Sequence, residues 1–98
     1  MKISDAELEV MQVIWDKQII TSTIIINELK YKNWKDTTIR TLLTRLENKG
    51  AIEIIGRNRK FYVYKPKISE FNYQKEQLQH FINTVLRGDK NKLKLLGE

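Results

Sequence analysis

The chain has 98 residues, with 18 Lys and Arg against 12 Asp and Glu, a formal net charge of +6; this supports one independently folding domain and leaves no room for a multidomain enzyme with a deep cleft. Zero cysteines exclude a disulfide framework, cysteine-ligated zinc, iron–sulfur clusters and thiol catalysis, and the single histidine, His80, has no partner for metal or triad chemistry. No apolar run approaches the roughly 20 residues of a membrane span, and the opening MKISDAELEV lacks the apolar core of a signal peptide.

Ser4-Asp5-Ala6-Glu7 has the S-x-x-E form of a capping box, and Leu8, Met11, Ile14 and Trp15 then share one helical face. The spacing predicts a first helix over about residues 5–16. Thr21 and Ser22 are candidate caps for a second helix carrying Ile25, Ile26 and Leu29 and ending near Lys32. The β-branched run Ile24-Ile25-Ile26 is open to a strand reading, but the preceding Thr and Ser and the following Asn27-Glu28 favour helix. The stretch Trp34-Lys35-Asp36-Thr37 supplies a third cap. Ile39, Leu42, Leu43 and Leu46 follow at i, i+3, i+4 and i+7, and Gly50 is placed to end that helix.

After Gly50 the apolar period changes from 3.6 to 2. Ala51–Ile55 reads as a strand, Gly56–Lys60 as a loop whose Gly and Asn suit positive φ, and Phe61–Tyr64 as the returning strand. Pro66 lacks an amide donor and closes the ladder. From Ser69 a long helix is predicted, with Leu78, Phe81, Ile82, Val85 and Leu86 on one face, Tyr73 extending that surface and Gly88 closing it. Asp89–Glu98, with Leu93, Leu95 and Leu96, is too short to assign. The expected fold is mostly α with a small β-hairpin (α+β): a winged helix-turn-helix over residues 1–67, followed by a C-terminal helical dimerisation segment over 68–98.

The charge is unevenly spread. Residues 1–29 sum to −3, residues 30–60 to +6 and residues 61–98 to +3. A local excess of this kind is the footprint of a polyanion binder, although a solvated lysine-rich surface produces the same count. The third helix weighs against the plainer reading. Opposite its apolar stripe stand Thr37, Thr41, Thr44 and Asn48, with Thr38, Arg40 and Arg45 at the flanks. An exposed helix face chosen for stability would carry Glu, Lys, Gln or Ala rather than threonine. Threonine can instead hydrogen-bond a base edge or set its methyl against thymine, and arginine can grip guanine or a phosphate. Thr38, Thr41, Thr44 and Arg45 are therefore the candidates for base readout. Lys35, Thr37, Arg40, Asn48 and the hairpin residues Arg57, Arg59 and Lys60 are the candidates for backbone contact, which positions without reading sequence. Trp15 and Trp34 read chiefly as packing residues.

Several of these segments together resemble the penicillinase-repressor (BlaI/MecI) family. They are Ser4–Met11 with Ile14-Trp15; Trp34 followed by Thr38–Leu46 and Lys49-Gly50; Phe61, Tyr62 and Tyr64; and Phe81-Ile82-Asn83 with Val85 and Gly88. The resemblance implies a dimeric winged-helix repressor on a palindromic operator, controlling β-lactam-resistance-type genes, with an upstream sensor protease. Family members continue for about two further helices that complete the dimer. Those induced by proteolysis are cut at an Asn-Phe pair, where this chain has Leu96-Gly97, and its lack of Cys removes the C-terminal motif of the copper-responsive relatives. The expectation is a cytoplasmic, non-enzymatic homodimer binding double-stranded DNA, with no cofactor, metal or membrane. The alternative is a winged-helix interaction module for an acidic protein partner.

Overall fold

A computed structural model of the protein describes residues 1–85. Its elements in chain order are α1 (Asp5–Lys17), β1 (Ile20–Thr21), α2 (Ser22–Glu28), a 3-10 turn (Lys30–Lys32), α3 (Asp36–Asn48), β2 (Ile52–Arg57), β3 (Tyr62–Pro66) and α4 (Glu70–Thr84). Leu86 and Gly88, assigned above to the last helix, lie outside the described residues, as do Leu93, Leu95 and Leu96.

The start of α1 has both halves of the capping box: the Glu7 amide donates to Ser4 Oγ at 3.2 Å and the Ser4 amide donates to the Glu7 carboxylate at 2.8 Å. Thr21 caps α2, its hydroxyl oxygen accepting from the Ile24 amide. The expected side-chain cap on α3 is absent. Lys35 stands at that cap position with no side-chain bond, and Asp36 favours the helix only as an acid in its first turn. At the other end α3 closes as a full Schellman motif. Gly50 takes φ +79, its amide donates to the Glu47 carbonyl, and the Ala51 amide donates to the Leu46 carbonyl.

Val10, Met11, Ile14, Ile25, Leu29, Ile39, Leu43, Leu46 and Ile52 are fully buried where α1, α2 and α3 meet the sheet. That sheet has three strands in the order β1-β3-β2, all antiparallel, and not the two expected. β1 is only Ile20 and Thr21, paired with Tyr64 and Val63, too short to leave a periodic signal. The hairpin also departs from strict alternation. Ile54 pairs with Tyr64 and Gly56 with Val63, so Ile55 is an extra residue in a β-bulge. The bulge leaves both Ile54 and Ile55 exposed. It also extends β2 to Arg57 and moves the loop to 58–61. Gly56 is thus strand, and positive φ among non-glycine residues occurs only at Gln18 and Asn33 within the described residues.

Tyr73 does not extend the apolar surface of α4. Its ring packs 5.6 Å from that of Trp15, and the Trp15 indole N–H donates to the Ile68 carbonyl at 2.9 Å. The reason is angular: five residues before Leu78 is about 140° around the helix, hence another face. The root of α4 is therefore seated in the domain core, while Phe71, Leu78, Phe81 and Val85 stay exposed. Ile82, expected beside them, is buried.

Candidate nucleic-acid interface

Ile39, Leu42, Leu43 and Leu46 hold α3 against the core, which fixes what it shows to solvent. Thr37, Thr38, Arg40, Thr41, Thr44, Arg45 and Asn48 are all exposed, so one helix gathers the four candidate readers and three of the candidate backbone contacts. Lys35 lies at the entry to the same helix, also exposed. Two threonines carry an additional constraint. Thr41 Oγ1 donates to the Thr37 carbonyl at 2.9 Å, and Thr44 Oγ1 donates to the Arg40 carbonyl at 3.0 Å.

The far end of α3 is held by a contact that the sequence pattern did not disclose. Lys49 Nζ donates to Glu7 Oε1 at 2.5 Å and to the Lys2 carbonyl at 2.8 Å. Glu7 is only 1% exposed, and its second carboxylate oxygen is buried with no partner. Burial pushes its pKa up, but the hydrogen bonds from Lys49 and from Ser4 outweigh burial and hold it below its ordinary value. The capping box explained Glu7 locally. That one carboxylate also tethers the end of α3 depends on residues 42 positions apart, which no local pattern contains.

The hairpin tip is organised by Asn58, through its side chain. Asn58 Oδ1 accepts from the Lys60 amide at 2.8 Å and the Phe61 amide at 3.0 Å, while its own amide donates to the Phe61 carbonyl. Arg57, Arg59 and Lys60 are thereby displayed on an ordered tip, all exposed. The Tyr62 amide donates to Ser22 Oγ at 3.1 Å, and Ser22 is 1% exposed, so the base of the wing is tied to α2. Burial pushes the Tyr64 phenol up in pKa, with Glu47 and Tyr62 adding and Arg40 opposing. Tyr62 and Tyr64 pack edge to face, 6.3 Å between centroids, covering the sheet.

Other cations are turned to structural use. Lys32 pairs with Glu9 at 3.2 Å and lies over the Trp34 ring at 5.6 Å. Trp34 is half-buried against the core. Lys65 pairs with Glu53. Among the described residues no three His, Cys, Asp or Glu side chains form a metal-holding group, and no helix is long and apolar enough to cross a membrane. What the arrangement offers is a polar helix face with a basic wing beside it.

Known proteins resemble this chain in sequence and in fold. A family model described as "Penicillinase repressor" matches residues 3–95. The penicillinase repressor of Bacillus licheniformis is 42% identical over 95 residues, covering 96% of this chain and 73% of that protein. The methicillin resistance regulatory protein MecI of Staphylococcus aureus (strain N315) is 39% identical over 95 residues, covering 96% and 76%. The solution structure of the DNA-binding domain of the repressor BlaI superposes with a TM-score of 0.66 at 45% identity, covering 74% of this chain and 88% of that one. The monomeric form of Bacillus licheniformis BlaI, solved in complex with the blaP half-operator, superposes with a TM-score of 0.62 at 43% identity, covering 74% and 89%.

Proposed function

The chain belongs to the penicillinase repressor family, and from that membership we propose that it is a transcriptional repressor binding operator DNA sequence-specifically as a homodimer. The family's members are repressors rather than enzymes, and the regulated genes we assign to this chain are of the β-lactam-resistance type. Residues 1–67 form the reading head and 68–98 the dimerisation arm, acting in the cytoplasm without a cofactor. The observation that carries the reading is the solvent face of α3, where threonines and arginines stand exposed opposite a fully buried apolar stripe.

In this reading α3 enters the major groove. Thr38, Thr41, Thr44 and Arg45 meet base edges, and Lys35, Thr37, Arg40 and Asn48 meet the flanking phosphates. The wing residues Arg57, Arg59 and Lys60 lie along the backbone beside it. Phe71, Leu78, Phe81 and Val85 on α4 form the surface for a second copy, and half-sites then stand at least about one helical turn apart. The Leu96-Gly97 pair lies outside the described residues, so the link to a sensor protease rests on family resemblance.

A titration of duplex DNA at two salt concentrations tests the proposal. Binding should weaken steeply with salt, and a pool of random duplexes should yield a palindromic sequence bound more tightly than bulk DNA. Absence of salt-dependent binding to any duplex would overturn it and leave the acidic protein partner as the surviving reading.

A further inference from the structure

The hydroxyl protons of Thr41 and Thr44 are already committed inside α3, to the Thr37 and Arg40 carbonyls. A threonine engaged in this way keeps acceptor capacity at its oxygen but has no donor to offer a ligand. Donation to purine N7 or thymine O4 would first require breaking a bond within the helix. The γ-methyl requires no such step. Both residues are exposed, and they sit three apart at the centre of the face that α3 turns to solvent. Their Cβ atoms are therefore about 5–6 Å apart, one to two base steps of about 3.4 Å.

We propose that Thr41 and Thr44 read the operator through their γ-methyl groups, against the C5-methyls of two thymines on the same or neighbouring base steps. The inference rests on α3 lying in the major groove, the only groove in which the thymine methyl is displayed. Arg45 then supplies polar readout, and the two threonines supply an apolar discrimination that accepts thymine and disfavours cytosine. The back-bonded hydroxyls also fix each side chain in one rotamer before DNA arrives, so the methyls need no ordering at the moment of contact.

The test uses the 98-residue chain and its selected operator, with deoxyuridine replacing thymine one position at a time. In each half-site two replacements should each weaken binding about fourfold, the effect of withholding one methyl-sized apolar group from burial. Thr41→Val and Thr44→Val keep the methyl and should bind within about twofold of the parent, retaining the preference for thymine over deoxyuridine. Thr41→Ser and Thr44→Ser should each lose about fourfold per half-site, about sixteenfold on the full palindrome, and become indifferent to the base change at the matching thymine. Thermal melting of all four variants identifies any loss that comes from unfolding. Indifference of the parent to every deoxyuridine, or a loss in the valine variants matching that in the serine variants, overturns methyl readout while leaving operator binding intact. Failure of the parent to bind any duplex overturns the repressor reading itself, and this inference with it.

Discussion

Arg45 and Lys60 carry the same charge and are both exposed, yet the proposed function gives them different work. Arg45 extends from the face of α3 proposed to meet bases, whereas Lys60 sits on the wing tip. Arg45→Ala should cost about 1–3 kcal/mol per half-site of the cognate operator and relax specificity at one position in each, read by competition against single-base variants. Lys60→Ala should weaken all sequences alike and make the log–log salt dependence shallower by about one per half-site, about two on the full palindrome. A uniform loss for Arg45→Ala would move it to the phosphate class. Glu7 belongs to this scale for another reason. Its carboxyl is held below its ordinary pKa in the fold, so it releases its proton more readily there than in the unfolded chain. Its contribution to stability is therefore present above the unfolded value of about 4.3 and is lost as pH falls through the lower folded value. Glu7→Gln should be less stable at neutral pH and lose less on acidification, as thermal melts from pH 7 down to pH 3 would register. Parallel acid limbs for both proteins would remove Glu7 as the titrating group.

At the scale of the element, the wing is instructive because its charges depend on a neutral residue. Asn58 accepts two amides with one side-chain oxygen, so Asn58→Ala leaves the tip without its internal organiser. Affinity should fall by about 1 kcal/mol per half-site, roughly fivefold each, while the salt slope stays unchanged because no charge is removed. A changed slope would mean that the tip had left the DNA altogether. The elements also divide by how far the sequence disclosed them. The capping box at Ser4, the cap at Thr21, the α3 stripe and its Gly50 terminus are encoded within a few residues of themselves, and all were legible. β1 was not, since two residues carry no period and Ile20 pairs with Tyr64 only once the chain has folded. The bulge at Ile55 was equally hidden, because Ile54-Ile55 satisfies any strand pattern in either register. The candidate DNA residues were legible as types on a helix face. The Glu7–Lys49 tether and the committed hydroxyls of Thr41 and Thr44 emerge only once the chain has folded.

For the whole molecule, α4 is the element with two allegiances. Tyr73 faces inward onto Trp15, and the Met1 amine bonds Glu76 while Gln77 donates to the Met1 carbonyl, so one side of the helix is held to the domain. On the other side Phe71 is 71% exposed and Leu78 49%, seven residues apart, a coiled-coil spacing that Val85 continues. Phe71 precedes the densest part of the apolar run, so the sequence pattern alone does not mark it. Leu78→Asp should leave the melting of the reading head within a few degrees of the parent but shift the protein toward monomer in sedimentation. It should also abolish tight binding to a full palindrome while sparing the half-site. Loss of half-site binding as well would place Leu78 in the fold rather than in the dimer.

The indole of Trp15 gives this division a mechanical sense. By holding the Ile68 carbonyl and the Tyr73 ring together, it seats the start of α4 on α1. In the proposed dimer this would remove the swivel that a loose linker gives between reading head and dimerisation arm. The paired heads would then behave like the jaws of a caliper set to one opening. Operators whose half-sites are rotated out of phase around the double helix would be rejected by leverage, whatever their bases spell.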